Sequence, residues 1–352
     1  MKILIYGAGV LGSLAAARLQ DAGQDVTLLA RGQRLADLRQ HGVVLEDLVT
    51  GQQTVTQVNL IEHLEPDDAY DLVAVNIGKH QVPSVLPALA ANHFTPNVLF
   101  LGNNVAGPAG LVAVVGRARV LQGFLAAGGT RSGHVVRCLF EMDGRRARLI
   151  LGELDGQTTL RLVQTMAAFE SAGFLVEISP NIDAWLKSHA ALILPLGGAY
   201  FLAGDDTKRL ARTPDGVILL VRAMREALRV LQAHGFPILP AQFKLLQWLP
   251  EPLLAAWLKR ILMGDAIQYG LVHAHAARPE MQQLVVEFKE LAWKVGQLTP
   301  ALDRLSAAID PQAPPLPVGS AEMRLDWRPL RAILGALVVL GLGAAWLQSR
   351  RR

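Results

Sequence analysis

The chain has 352 residues, enough for two domains that each bury a hydrophobic core. About half of its residues (51%) are hydrophobic, and the formal net charge is only +4 with the basic residues scattered. Nucleic-acid binding is therefore not expected, because it needs a basic patch or run. The single cysteine, Cys138, excludes an internal disulfide and lies in an apolar, strand-like run. No cluster of ligand residues surrounds it in sequence, so we expect no metal site.

The N-terminal half of the chain alternates short apolar runs with helical patterns, which indicates a parallel sheet covered by helices on both faces. The predicted strands are Lys2–Tyr6, Asp25–Leu29, Leu72–Ile77, Asn97–Leu101 and Arg119–Phe124. The predicted helices include Leu11–Ala22, Gln33–His41 and Pro83–Asn92. Two later runs, Gly133–Phe140 and Ala147–Glu153, are joined by Asp143-Gly144 and predict a β-hairpin added after the parallel strands.

The second half of the chain has a different pattern. Helical periodicity dominates from Ile182 to Leu305 and predicts a mostly helical domain. The predicted divisions are an α/β domain at 1–180, a helical domain at 181–308, a proline-rich linker at 309–331 and an apolar segment at 332–347.

The apolar segment 332–347 contains no charged residue and is flanked by Arg331 and Arg350. It is slightly shorter than the roughly 20 residues that span a bilayer. The preceding prolines, the flanking arginines and Trp346 favour a membrane-anchor helix. The alternative is a helix buried in the protein or in an oligomer. At the other end, a strand beginning at residue 2 is not the pattern of a signal peptide.

A glycine-rich turn lies directly between the first predicted strand and the first helix. It consists of Gly7, Ala8, Gly9, Val10, Leu11 and Gly12, in the pattern G-x-G-x-x-G. The first glycine permits the tight turn, the second lets a pyrophosphate approach the backbone, and the third allows close helix packing. The pyrophosphate would meet the free N–H groups at the helix N-terminus. This position makes the pattern a specific prediction of dinucleotide binding.

The end of the second strand predicts which dinucleotide is bound. NAD-binding proteins place Asp or Glu there to hold the ribose hydroxyls. This chain has Arg31 instead, with Arg34 close behind. Because a guanidinium matches a 2′-phosphate, we expect NADPH. The alternative is an arginine that only begins the next helix.

Four further motifs point to one enzyme family. They are Leu101-Gly102-Asn103-Asn104, Ala127-Gly128-Gly129-Thr130, Trp185-Leu186-Lys187 and Arg278-Pro279-Glu280. Together with the glycine turn and Arg31, they resemble the ketopantoate reductase (2-dehydropantoate 2-reductase) family over about residues 1–305.

This resemblance implies an N-terminal Rossmann-type parallel sheet and an all-helical C-terminal domain of the 6-phosphogluconate-dehydrogenase-like kind, used for substrate binding and dimerisation. It implies an NADPH site that includes the glycine turn, Arg31, Asn103, Gly129 and Glu280. The implied reaction reduces a small 2-oxo acid to a 2-hydroxy acid, with Lys187 as proton donor and Glu280 beside it. We expect a monomer or homodimer, with a cytoplasmic catalytic domain held at the membrane by the C-terminal helix.

The residues that the resemblance assigns to substrate binding depart from the family pattern. Ala191 and Pro195 stand where the family's helix carries Asn residues, and Pro195 would also kink that helix. Lys79 comes one residue later than the family's early lysine, and Ala266–Tyr269 replaces a serine-rich segment. Losing polar contacts changes specificity strongly. Ketopantoate is therefore the first candidate substrate. The alternatives are a more apolar oxo acid or ketone, and a non-catalytic, NADPH-binding sensor or scaffold attached to the membrane.

One further pattern has a structural interpretation. His273 and His275 alternate with small residues, and two histidines at this spacing need not face the same way on a helix. We interpret them as helix surface or interdomain packing rather than as part of the substrate pocket.

Overall fold

The computed structural model describes residues 1–142, 145–264, 267–268, 271 and 277–336. Its strands are β1 (Lys2–Tyr6), β2 (Asp25–Leu29), β3 (Val43–Asp47), β4 (Gln53–Thr56), β5 (Asn59–Ile61), β6 (Leu72–Val75), β7 (Val98–Leu101), β8 (Val120–Ala126), β9 (Gly128–Ser132), β10 (Val135–Leu139), β11 (Glu141–Met142), β12 (Arg145–Arg146), β13 (Arg148–Gly152) and β14 (Leu175–Ile178). Its helices are α1 (Val10–Asp21), α2 (Gly32–His41), α3 (Val82–Ala91), α4 (Ala109–Val115), α5 (Leu160–Ser171), α6 (Ile182–Leu202), α7 (Thr207–Ala211), α8 (Pro214–Ala233), α9 (Leu245–Trp248), α10 (Glu251–Leu262), α11 (Arg278–Lys294) and α12 (Pro300–Ala307).

The central sheet of the N-terminal domain has eight strands in the order β14-β13-β8-β7-β6-β1-β2-β5. The neighbouring strands β8, β7, β6, β1, β2 and β5 are parallel to one another, and β13 pairs with β8 in the antiparallel sense. The five predicted parallel strands are confirmed to within a residue or two. Their apolar runs are buried on both faces, as helix-covered strands require. The strand order reverses between β1 and β6, and that is where this fold forms a cleft.

The predicted long hairpin is wrong. β10 pairs with β9 and β3 in a separate four-stranded sheet, whereas β13 pairs with β8 and β14 in the central sheet. Between these two runs, the two-residue strands β11 and β12 pair in the antiparallel sense. The two runs differ in burial, because β13 has four consecutive buried residues while β10 alternates. A strand buried on both faces belongs inside a covered sheet, and the alternating strand belongs at a half-covered one.

The helical domain is built around α6, α8 and α12. Helix α6 continues through Pro195, so the kink expected there does not end it. Gly198 of α6 lies against the backbone of α12, since a Cβ at this position would be 2.7 Å from the carbonyl oxygen of Leu305. The absence of a side chain therefore lets these two helices approach closely.

The proline-rich segment after α12 packs on the helical domain. The Leu316 N–H donates to the Leu202 carbonyl (2.9 Å), and buried Asp215 accepts from the Ser320 hydroxyl and the Met323 N–H. A short helix then occupies residues 328–336 with mostly exposed side chains. The rest of the apolar segment 332–347 lies outside the described residues. Within the described part of the chain, no helix combines the length and apolar character needed to cross a membrane.

Candidate active site

A cavity of about 590 Å³ lies over the carboxyl ends of the central parallel strands. Among the predicted site residues, its wall includes Gly7, Ala8, Gly9, Val10, Leu11, Arg31, Asn103, Gly129 and Glu280. Gly12 and Lys187 are not part of that wall, as formed by the described residues. The structure therefore gathers most of the predicted cofactor residues around one cleft.

The glycine turn has the shape expected for a phosphate site. Gly7 has φ +117°, and a Cβ there would lie 2.6 Å from the carbonyl oxygen of Asn76. A Cβ on Gly12 would lie 1.8 Å from the Gly7 carbonyl oxygen, so this helix packs where only glycine fits. A Cβ on Gly9 would meet nothing within 4 Å. Gly9 therefore faces open space at the N-terminus of α1, where N–H groups lack helical partners.

Three arginines lie at the end of the cavity beside α2. Arg31 begins α2 and is exposed, and its guanidinium donates to the Tyr6 hydroxyl (3.0 Å). Arg34 is buried and donates to the Ala8 carbonyl, the Ser13 hydroxyl and the His134 carbonyl. It therefore fixes the glycine turn to α1 and the second sheet.

The third arginine, Arg131, comes from β9 and was not recognised in the sequence. Its guanidinium donates to the Gly133 carbonyl and lies 3.9 Å from the Asp37 carboxylate. Burial lowers the pKa of Arg34, and the nearby Arg131 charge lowers it further. Arg31 and Arg131 both line this end of the cavity, so their guanidinium groups make it suited to binding an anion.

The opposite end of the cavity is closed by a hydrogen bond between the domains. The Asn103 Nδ2 atom, just after β7, donates to Glu280 Oε1 (3.0 Å) at the start of α11. Burial raises the pKa of Glu280, while Asn103 and the Lys79 N–H oppose that rise. The Asn103 Oδ1 and Asn76 Nδ2 atoms are buried without a partner among the described residues. Polar atoms of this kind at a cavity wall are suited to a polar ligand.

A second charged group lies next to this bridge. The Lys79 Nζ donates to Asn104 Oδ1 (2.6 Å) and lies 3.8 Å from Glu287. Glu287 is buried on α11 and accepts from the Ala106 N–H (2.9 Å). Burial lowers the pKa of Lys79, partly offset by the glutamates, and the Lys187 charge lowers it further. The lysine that is displaced by one residue in sequence thus still reaches the junction between the domains.

Lys187 is buried on α6 with its ammonium group paired to Asp183, one turn earlier. The ammonium lies 4.9 Å from the centre of the Phe236 ring, and it approaches Gly107 in the loop after β7. That loop also carries Asn104, which accepts the hydrogen bond from Lys79, so both lysines lie beside the same segment.

The helix face beyond Lys187 is apolar. Ala191 and Pro195 are buried, and Ala191 belongs to the same hydrophobic cluster as Val105 and Leu194. Gln268 of the replaced serine-rich segment accepts hydrogen bonds from Thr207 instead. Tyr269 of that segment lies outside the described residues, and so do His273 and His275, for which helix surface or interdomain packing remains the prediction.

Glu287, Asp183 and Arg131 are the functional candidates that sequence reasoning missed. Asp183 could have been found, because it lies four residues before Lys187 on a predicted helix. Glu287 could not, since it contacts a backbone N–H that is 181 residues away in the chain.

Comparison with known proteins relates the chain to one enzyme family. Residues 3–156 match the family model for ketopantoate reductase PanE/ApbA. The chain is 29% identical over 244 residues to a 2-dehydropantoate 2-reductase from Halobacterium salinarum, covering 68% of this chain and 77% of the relative.

Solved structures show the same fold. A 2-dehydropantoate 2-reductase from Geobacter metallireducens matches with a TM-score of 0.73 at 18% identity, over 89% of this chain and 100% of that one. D-mandelate dehydrogenase with NADH and anilino(oxo)acetate matches with a TM-score of 0.72 at 18% identity, over 88% of this chain and 97% of that one. The predicted architecture, a Rossmann-type domain followed by a helical domain, is confirmed.

Proposed function

We propose that the chain is a ketopantoate reductase family member, as the match of residues 3–156 to that family's model supports, and that it reduces a 2-oxo acid to the 2-hydroxy acid with NADPH. The observation that carries this proposal is the hydrogen bond from Asn103 to Glu280 across the domains, with Lys79 close to Glu280 and Lys187 next to Gly107 in the loop that follows Asn103. Polar groups from both domains thus meet at the cavity wall, which supports a site there for the nicotinamide and the substrate.

The residues present fit a dinucleotide. The open backbone at Gly9 and the N-terminus of α1 would hold the pyrophosphate. The unpartnered atoms of Asn76 and Asn103 would serve the nicotinamide end of the cavity. When bound, the cofactor supplies the hydride.

The choice of NADPH over NADH rests on Arg31 and Arg131. Both line the cavity at the end of β2, where NAD-binding proteins usually carry an acidic residue. Two guanidinium groups can hold a 2′-phosphate by charge-assisted hydrogen bonds. The nearby Asp37 carboxylate would orient Arg131.

Lys187 is the proposed proton donor. Addition of a hydride to the carbonyl carbon leaves negative charge on the oxygen, which requires a proton and a positive charge nearby. Lys187 supplies the proton, Lys79 supplies a second positive charge, and Asp183 holds Lys187 in place. Glu280 fixes Asn103 and thereby the end of the cavity at which the reaction occurs.

Ketopantoate is the first substrate to test. A more apolar oxo acid is the second candidate, favoured by the buried Ala191 and Pro195 and by the Phe236 ring over Lys187. D-mandelate dehydrogenase shares this fold, so the fold alone does not fix the substrate.

The deciding experiment is an NADPH-oxidation screen with ketopantoate and a graded series of aliphatic and aromatic 2-oxo acids. Replacement of Lys187 by methionine should lower kcat by about a hundredfold or more while the Kd for NADPH changes little. Tight NADPH binding without turnover of any oxo acid would refute the reductase and favour the non-catalytic sensor or scaffold.

A further inference from the structure

An exposed apolar face runs along α9 and α10. Leu253, Trp257 and Ile261 follow each other at four-residue spacing on α10, so they share one side of the helix. Leu245, Trp248 and Leu249 continue the exposed apolar surface just before it. Trp248 is 81% exposed and Trp257 is 51% exposed. We call these six residues the α10 face. Exposed patches of large apolar side chains mark interaction sites.

The exposed charges carried by the α9–α10 segment itself are positive. Lys244, Lys259 and Arg260 are all exposed on the same segment. Within residues 241–264, which are all described, the only acidic side chain is Glu251. Glu251 is 5% exposed and forms an ion pair with Arg222 of α8. The surface that a partner would meet therefore carries basic groups and no carboxylate of its own segment.

The chain leaves the helical domain beside the α10 face. Arg222, which holds Glu251 at the start of α10, also donates to the carbonyl of Arg324 (2.8 Å). Arg225, on the next turn of α8, donates to the carbonyls of Leu246 and Leu249. The helix at 328–336 follows Arg324 within a few residues and carries the exposed Ile333 and Leu334, and the uncharged sequence continues to 347. The apolar sequence therefore follows shortly after the chain passes the start of α10.

We propose that the α10 face docks on an anionic phospholipid surface, with α10 lying in the plane of the membrane interface. Tryptophan and leucine on one side of a helix with basic residues next to them are the features of an interfacial helix. Stable attachment takes two signals, and the apolar sequence emerging beside α10 provides the second. A second copy of the chain fits less well, because a two-fold contact would bring Lys259 and Arg260 against themselves.

The test is co-flotation of the full chain with vesicles of phosphatidylglycerol and phosphatidylcholine, compared with pure phosphatidylcholine. Binding should require phosphatidylglycerol and should weaken as salt rises.

Trp248→Ala with Trp257→Ala should weaken vesicle partitioning at least about tenfold. Lys259→Gln and Arg260→Gln should each weaken it roughly fivefold. Trp293→Ala is the matched control, because Trp293 is also 81% exposed but lies on α11.

The NADPH Kd of each variant verifies that the fold and the cofactor site are intact. It also separates this inference from the proposed function, which does not depend on vesicles. Unchanged flotation of the double tryptophan variant would show that the α10 face does not dock and would overturn the proposal. A dimer in solution that the same substitutions dissociate would also overturn it, in favour of a second copy of the chain. Equal binding to pure phosphatidylcholine would remove its electrostatic basis.

Discussion

Arg31, Arg34 and Arg131 lie within one corner of the cavity but have different surroundings. Arg34 is buried with three hydrogen-bond acceptors, so its role is to hold the glycine turn. Arg31 and Arg131 keep donor groups towards the cavity and each has few partners in the protein. The difference in burial separates a structural arginine from two that can bind a phosphate.

Replacing either Arg31 or Arg131 by alanine should weaken NADPH binding much more than NADH binding. If NADPH binds as proposed, each substitution removes one charge-assisted contact to the 2′-phosphate, so we expect roughly a tenfold change in the NADPH/NADH ratio of Kd. Nicotinamide fluorescence titration measures both constants. Arg137→Ala is the control, since Arg137 lies on the neighbouring strand and pairs with Glu46. A shift with Arg31 alone would leave NADPH as the cofactor but remove Arg131 from its site.

His189 provides a second test at this scale. It stacks on Trp185 beside Phe124, and burial lowers its pKa to about 4. Below the ordinary pKa of about 6.5, the unfolded chain binds a proton that the native state does not. The contribution of His189 to the free energy of unfolding should therefore fall as the pH drops from about 6.5 towards 4, and be constant above about 6.5.

The substitution His189→Phe keeps the ring stacking and removes the titration. At pH 4.5 the variant should lose about 2 kcal/mol less stability, relative to its value at pH 8, than the parent protein. Urea unfolding at the two pH values measures the difference, and the pH 8 values report any change in packing. Parallel pH curves for both proteins would contradict the assignment.

At the scale of elements, the sequence predicted the positions of strands and turns well, but it did not predict which strands pair. The apolar runs of β1 and β2 and the glycine turn identify themselves within a few residues. On one side β10 pairs with β3, which lies some ninety residues earlier, and no local pattern in either strand predicts that pairing. For the same reason motifs were enough to propose Lys187 and to note the displaced Lys79, whereas the buried Glu287 and its contacts with Lys79 and the Ala106 N–H required the structure.

Two glycines in helices give a matched prediction about packing. Gly198→Ala should destabilise the protein by about 1–3 kcal/mol, because its Cβ would meet the α12 backbone at Leu305. Gly110→Ala in α4 should stabilise it by about 0.5–1 kcal/mol, since nothing lies within 4 Å of that Cβ. Urea denaturation measures both. Equal effects would mean that helix propensity, rather than the α6–α12 contact, determines the outcome at Gly198.

At the scale of the whole molecule, the segment that follows α12 completes the packing of the helical domain. Leu316 bonds to α6, and Asp215 of α8 accepts three hydrogen bonds from residues 320–323, so this segment closes the helical domain. Its proline content suggested a linker, because prolines exclude a helix. Proline does not prevent an extended segment from packing, and here side chains of α7 and α8 supply the partners.

Because the segment after α12 is packed rather than a free linker, the chain should tolerate shortening only beyond it. A chain ending at residue 327 keeps the contacts of Asp215 and Arg222 and should retain its unfolding free energy and its NADPH Kd. A chain ending at residue 318 leaves buried Asp215 without these donors, which should cost at least about 1–3 kcal/mol. Urea unfolding with cofactor titration compares the two. If the shorter chain were as stable as the longer one, the segment would be a linker after all, and the helical domain would end at α12.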